Sequence, residues 1–410
     1  MKRSLLALLL ACSFVMPLMA QTITYASFRY EDEAIYKALI DKFQKENPKI
    51  TVKWDTNQDT NAYYTALKAN LQSGQGPDVF DVHPNTNFVA FAVDGVLADL
   101  SKLAFVKNYQ EGPKAMTTIG GKVYGYNQDV NLICVIYNKD IFKKVGVAAP
   151  KNWADFVSIT NKLKQAGYGG MAYIGGTVKA AWLTNAIFCQ VMGPADYKAL
   201  QEGIDSGKIM TIKDNAKAMT ALKTLAAYYA EKIFYDNSDT LQYPQSLALF
   251  AQKKAAQMMM GTWTFGTKAT DYPDVDQGIF PVPTLASTDI AYAEGGQVAC
   301  VNAASKSIDA AKKFVDFLAA PENSSIYIAK SKMTPTVKGV KADFSGIDML
   351  NAQMSKGVNV LPVAVTTNDT IWTPFWNAMA ENILFKGADV NKEAAAFEAA
   401  LVKSDLKNKK

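Results

Sequence analysis

The stretch Thr22-Ile-Thr-Tyr-Ala26 alternates polar and apolar side chains, and the polar, aromatic turn Ser27-Phe28-Arg29-Tyr30 closes it. Ile35, Leu39 and Phe43 then recur at a spacing of four, which puts them on one face of an amphipathic helix that Asn47-Pro48 ends. Ile50, Val52 and Trp54 alternate as a second strand. A further helix runs from Tyr63 to Leu71 and stops at Ser73-Gly74-Gln75-Gly76-Pro77, after which Asp78-Val79-Phe80-Asp81-Val82 reads as a third strand. Strand, helix, strand, helix, strand is the order of a parallel, doubly wound α/β sheet. Ligands of such sheets bind outside the carboxyl ends of the strands, here Ser27 to Tyr30, Thr56 to Asp59 and Asp81 to Asn85.

The theme recurs downstream. Gly120-Gly121-Lys122-Val123-Tyr124-Gly125 reads as a hairpin, and Val130 to Tyr137 as a strand of the fully buried kind. Asn138 to Gly146 and Trp153 to Gly167 read as helices, Met171 to Ile174 as a strand. Further helices are expected over Ala181 to Met192, Ala216 to Lys232 and Tyr243 to Gln252. Ala255 to Met260 is a buried strand ending at Gly261-Thr262-Trp263. No internal repeat and no Pro/Ser-rich linker divides the chain, so two units sharing several crossovers are expected.

Composition sets the outer bounds. The chain has 410 residues, 49% of them hydrophobic, and a formal charge of +5, which is globular composition with material for two domains. Lys2 and Arg3, the uncharged run Leu5 to Met16, Pro17 and Leu18-Met19-Ala20 form a secretory signal peptide with cleavage after Ala20. Leu9-Leu10-Ala11-Cys12 offers a competing lipobox, which would leave Cys12 acylated. The apolar run is shorter than the about 20 residues a membrane span needs, so an exported, periplasmic protein is expected. Removal of Lys2 and Arg3 takes the charge from +5 to +3, too weak to argue for nucleic acid or an anionic membrane as partner, so neither is expected.

The remaining chemistry is mostly exclusion. Cys134, Cys189 and Cys300 sit in apolar strings without CxxC or metal-ligand spacing, the pattern of small buried thiols. One histidine, His83, rules out His-rich zinc motifs and paired catalytic histidines. There is no Walker A loop, no GxSxG and no HExxH. Asp274-Val275-Asp276-Gln277-Gly278 resembles the beginning of a calcium loop but lacks the downstream glutamate, so neither metal nor cofactor is expected. A pair of glycosidase carboxylates stays open among 38 acidic residues.

A family resemblance appears in the order of short motifs. Phe43 to Pro48, Ser73-Gly74 to Phe80, Gly95-Val96-Leu97-Ala98-Asp99-Leu100, Tyr137-Asn138-Lys139-Asp140 and Val145-Gly146-Val147 come first. Trp153-Ala154-Asp155-Phe156, Ala255 to Trp263, Pro281-Val282-Pro283, Gly295-Gly296, Ala310 to Phe314 and Pro335 follow. The whole mature chain thereby resembles the extracellular solute-binding proteins of ABC importers, in the sugar-binding class. The resemblance implies a type II periplasmic-binding-protein-like fold of two doubly wound α/β lobes joined by a hinge. It implies a monomer that closes on a carbohydrate and docks on the permease subunits of a membrane importer. Crossings are expected near Asn127 to Asn131, Val282 to Ser287 and Ser331 to Thr336. Residues 21–128 with 284–330 would form the N-terminal lobe, and 129–283 with 331–410 the C-terminal lobe.

Sugar recognition needs flat apolar surfaces for C–H faces and short polar groups for hydroxyls. Trp263, leaving a buried strand at a glycine, resembles the family's stacking tryptophan. Trp372 and Trp376, four apart on one helix face, compete for a second aromatic position, and one of them is expected in the core. Trp182 opens a helix after Gly175-Gly176, with core packing as the competing role; nearby Lys179 reads as a solvated charge. Asp129 and Asn131 interrupt an apolar run where an unpaired polar group costs about 1–3 kcal/mol, so each needs a partner or a cleft. Phe28, Arg29, His83 and Asn85 stand at strand ends, while Asp81 reads as structural. Glu294 could accept from hydroxyls, and Gly296 would let the backbone approach a ligand. Binding proteins for a polyol phosphate or a polyamine, and a secreted carbohydrate-active enzyme, are the alternatives.

Overall fold

The computed structural model describes residues 21–57, 59–265, 275–286, 291–342, 358–360, 369–404 and 406. The expected signal peptide and Cys12 lie outside them. Strands β1 (Gln21–Ser27), β2 (Ile50–Thr56) and β3 (Val79–Val82) pair in parallel, with Tyr25 opposite both Trp54 and Val79. Helix α1 (Glu33–Glu46) buries Ile35, Tyr36, Leu39, Ile40 and Phe43 against the sheet. Helix α2 (Thr60–Gln72) buries Tyr63 and Leu67 in the core of Phe28, Phe80 and Phe88. Asp59 caps α2 by accepting from the N–H groups of Asn61 and Ala62, at 2.8 and 3.0 Å. With apolar cores on both faces, all four residues of β3 are buried. Val298–Val301 joins β3 antiparallel, and Tyr126–Asn127 closes the far edge.

The second sheet is built around Asp129–Asn138, whose ten residues are buried except for half-buried Tyr137. Gln257–Gly261, Gln277–Phe280, Ala291–Gly295 and Thr334–Pro335 pair with it antiparallel, and Val358–Val360 pairs in parallel with Ala291–Gly295. Apolar clusters again cover both faces, one of them supplied by helices Ala181–Met192, Ala216–Ala230 and Asp369–Lys386. Met171 to Ile174, expected as a strand, forms only isolated bridges, Met171 with Phe234 and Ala172 with Met258.

The chain passes between the sheets at Gln128, which separates Tyr126–Asn127 from Asp129–Asn138. It returns at Gly296-Gln297, between Ala291–Gly295 and Val298–Val301. This corrects the crossing expected near Val282 to Ser287, and with it the placing of residues 291–295 in the first lobe. Pro281 and Pro283 end a strand without ending the lobe, because Val282 stays in the second core and Tyr228 donates to the Pro283 carbonyl at 2.8 Å. The passage expected at Ser331 to Thr336 also differs. Thr334–Pro335 touches the start of Asp129–Asn138, but Val337 then pairs with Tyr109 and packs with Val340 in the first core. The chain is next described at Val358–Val360, in the second sheet. Of the stretch likened to a calcium loop, Asp274 lies outside the described residues, and Gln277 and Gly278 open a buried strand.

Candidate functional site

The crossing at Gly295-Gly296 is threaded through a gap that only glycine fits. A Cβ on Gly295 would meet Pro84 and Asn127, and one on Gly296 would fall on the Asp129 carboxylate. The segment after β3 therefore lies directly against the crossing. Glu294 stands opposite Asn131 in the ladder and accepts from the Tyr292 hydroxyl at 2.7 Å; burial raises its pKa. Asp129 accepts from Asn131 Nδ2 and from the Tyr327 hydroxyl, each at 2.9 Å. The other amide atom, Asn131 Oδ1, is buried without a partner among the described residues, a cost of about 1–3 kcal/mol that a bound donor would relieve.

A polar network joins the two crossings beneath this point. The Tyr36 hydroxyl accepts from Gln297 Nε2 and donates to Gln128 Oε1 at 2.5 Å. Gln128 Nε2 reaches Asp81 at 3.2 Å, and the Tyr25 hydroxyl lies 2.9 and 3.0 Å from the two Asp81 oxygens. Tyr327 lies within hydrogen-bond distance of both Asp129 and Asp32, and the Arg29 guanidinium pairs with Asp32 at 2.9 Å. Burial pushes Asp81 up to about 7 and Asp129 up to about 6, against the opposing pull of Arg29 on both. Three buried carboxylates thus share the neighbourhood of one guanidinium.

Aromatic rings line both lobes near the crossings. In the first lobe His83 stacks on Phe28, with centroids 4.2 Å apart and planes at 17°, and its Nδ1 lies 2.9 Å from the Tyr64 hydroxyl. Burial and Arg29 push His83 down to about 4. In the second lobe the Trp263 ring folds back over Gly261, where any Cβ would run into it. Its Nε1 donates to the Tyr243 hydroxyl at 3.0 Å, and Trp182 meets it edge-on at 5.3 Å. Trp263 is half-buried and packs against the apolar cores of both lobes.

Residues 29–324 match the family model described as bacterial extracellular solute-binding protein. The chain belongs to that family. Among curated relatives, this solute-binding protein is 26% identical to the multiple sugar-binding protein of Streptococcus mutans over 78% of its own length and 76% of the relative's. It is 27% identical to the maltooligosaccharide ABC transporter solute-binding lipoprotein of Streptococcus pneumoniae, over 93% and 88% of the two chains. Its fold matches a solved chitin oligosaccharide binding protein with a TM-score of 0.77 at 20% identity, covering 94% of this chain and 99% of the other.

The solute-binding protein places the residues expected from sequence in separate groups. Asp129, Asn131, Glu294 and Gly296 meet at the crossings, Phe28 and His83 stack, and Trp182 meets Trp263 edge-on. Arg29 belongs to the buried network, 8% exposed and paired with Asp32. Asn85 is exposed and caps the helix Thr86–Val93 by accepting from Asn87 N–H at 3.0 Å. Trp372 and Trp376 are a correction: at 4% and 5% exposure both lie in the second core. Trp372 Nε1 donates to Asp205 at 3.0 Å, and Trp376 packs edge-on against Phe188 and Phe397. The pair rides the same helical stripe as Met379, Ala380 and Ile383, all core residues. Sequence reasoning missed Tyr64 and Tyr243, which hold His83 and Trp263.

Proposed function

We propose that this solute-binding protein captures a neutral mono- or oligosaccharide between its lobes for an ABC importer. The observation that carries the reading is Trp263, half-buried, braced by Trp182 and Tyr243, and in contact with the cores of both lobes. An indole so placed offers a flat face to a pyranose and feels the relative position of the lobes. The names of the two curated relatives, one sugar-binding and one maltooligosaccharide-binding, support the ligand class. Arg29, the cation at the crossing, is already engaged with Asp32, which weighs against a polyol phosphate. The binding residues we assign are Phe28, His83, Asn131, Trp182, Trp263 and Glu294, with Asp129 and Gly296 setting the crossing. Asn85 is exposed beside this group, and Arg29 acts from the network.

In this reading the protein is exported by its first 20 residues, or anchored through Cys12, works as a monomer, docks on permease subunits and does not turn its ligand over. Of the described residues, 21–57, 59–127, 298–333 and 337–342 make the first lobe, and 129–265, 275–286, 291–295, 358–360 and 369–404 the second. The test is a melting screen with neutral oligosaccharides, a polyol phosphate and a polyamine. A ligand at 100 times its Kd stabilises by about 2.7 kcal/mol, so a bound saccharide raises the melting temperature. A shift with the charged solutes alone overturns the carbohydrate assignment, and release of reducing ends overturns binding without turnover.

A further inference from the structure

We infer that His83 is a specificity-determining residue of the ligand site: Tyr64 holds its imidazole neutral with the proton on Nε2, so that it meets the ligand as a hydrogen-bond donor. The ligand contact rests on the interlobe site proposed above; the tautomer is a property of the protein alone.

The hydrogen bonds of Tyr64 decide the tautomer. The His83 backbone N–H donates to the Tyr64 hydroxyl at 2.8 Å, and Nδ1 of the same residue lies 2.9 Å from that oxygen. Were the ring proton on Nδ1, the phenol oxygen would accept twice and its own proton would need another acceptor. Among the described residues Tyr64 has none. With the proton on Nε2, the phenol accepts from the backbone and donates to Nδ1, and each of these groups is satisfied. Phe28 beneath the ring keeps it in plane, and a half-turn would replace Nδ1 by a carbon opposite Tyr64.

The charges around the ring point the same way. Arg29, from the turn after β1, opposes a second proton on His83, as burial does. Asp81, two residues earlier on β3, would favour one, but its carboxylate is taken up by Tyr25 and Gln128 and is itself pushed up to about 7. Tyr63 and Tyr64 on α2 and Cys300 on Val298–Val301 all have raised pKa values, so they stay neutral. The imidazole remains uncharged across the range from about pH 5 to 8.

Nε2 has no partner among the described residues, and His83 is half-buried next to Pro84, which lies against the Gly295 crossing. The structure thus offers a fixed, uncharged donor beside an aromatic stack. That combination suits a hydroxyl or ring oxygen and disfavours an ammonium group, which can only donate.

His83 is the single histidine of the chain, so ring-15N-histidine labelling gives one pair of nitrogen signals. The expected spectrum of the ligand-free protein is the neutral Nε2–H tautomer, with no titration between pH 8 and 5. In Tyr64→Phe the tautomers mix, while burial and Arg29 still hold the titration low. A wild-type Nδ1–H tautomer, or titration near 6.5, overturns the lock. Addition of the oligosaccharide that raises the melting temperature shifts the Nε2–H resonance; an unmoved resonance overturns the ligand contact. His83→Gln, which keeps an amide donor, retains affinity within about threefold, whereas His83→Phe, which keeps the stack, loses about tenfold, the worth of one hydrogen bond. Equal loss in both variants overturns the donor role. If no oligosaccharide binds, the carbohydrate reading falls and the ligand contact with it, while the tautomer signal still decides the lock.

Discussion

A methyl group on the α-carbon of Gly296 would occupy the place of the Asp129 carboxylate, so the second crossing and the first are in contact with no space between them. Asp129 in turn holds Asn131 of the second lobe and Tyr327 of the first, tying the crossings to both. Gly296→Ala must therefore push Asp129 out of both hydrogen bonds. The expected cost is about 1–3 kcal/mol of stability in chemical denaturation. An alanine variant as stable as the parent would show that the crossing can give.

Trp263 and Trp372 separate binding from packing. Trp263→Ala removes the indole that spans both cores, and a loss of affinity of about tenfold to a hundredfold in calorimetric titration is expected, with the fold retained. Trp372→Phe removes the donor to Asp205 inside the second core. It lowers stability by about 1–3 kcal/mol and leaves affinity unchanged. Reversed outcomes would exchange the roles of the two residues.

Gly261 carries a prediction of its own. Because the Trp263 ring covers it, Gly261→Ala must displace the ring from Trp182 and Tyr243. Tryptophan emission of the ligand-free variant should differ from that of the parent, and its affinity should fall towards that of Trp263→Ala. Unchanged emission and affinity would mean the ring does not depend on that contact.

Stability should rise as the pH falls from 8 to 5. Asp81 and Asp129 have folded pKa values of about 7 and about 6, above their ordinary carboxylate values, so the folded state takes up protons that the unfolded chain does not. Their contribution is full below the ordinary carboxylate range and is lost as the pH rises through 6 and 7. His83, depressed to about 4, opposes this below about pH 6.5, but it sets one proton against two. Asp81→Asn should flatten the upper part of the melting-temperature profile; a parent profile that falls on acidification would contradict the buried network.

The first sheet was legible because each signal was local: alternation in β1 and β2, a spacing of four along α1, glycines and a proline before β3. The carboxyl-end rule led from there to Phe28 and His83. The return crossing was not legible at Pro281 to Pro283, because proline ends a ladder whether or not the chain changes lobe. What holds that segment is Val282 in the second core and the hydroxyl of Tyr228, more than 50 residues away in sequence. One of Trp372 and Trp376 was expected at the cleft for the same reason: spacing puts both on one helix face but does not say what that face meets. Arg29 was expected at a strand end for the ligand; its pairing with Asp32, near the carboxylates at 81 and 129, shows only in the folded chain. Tyr64 and Tyr243 left no signal at all, since their role is to hold residues distant in sequence.

The central claim is capture of a saccharide between two lobes that close on it. Small-angle scattering of the mature chain, with and without the oligosaccharide that raises its melting temperature, tests it most directly. The bound state should have a smaller radius of gyration. A saccharide that binds and leaves the radius unchanged would contradict it.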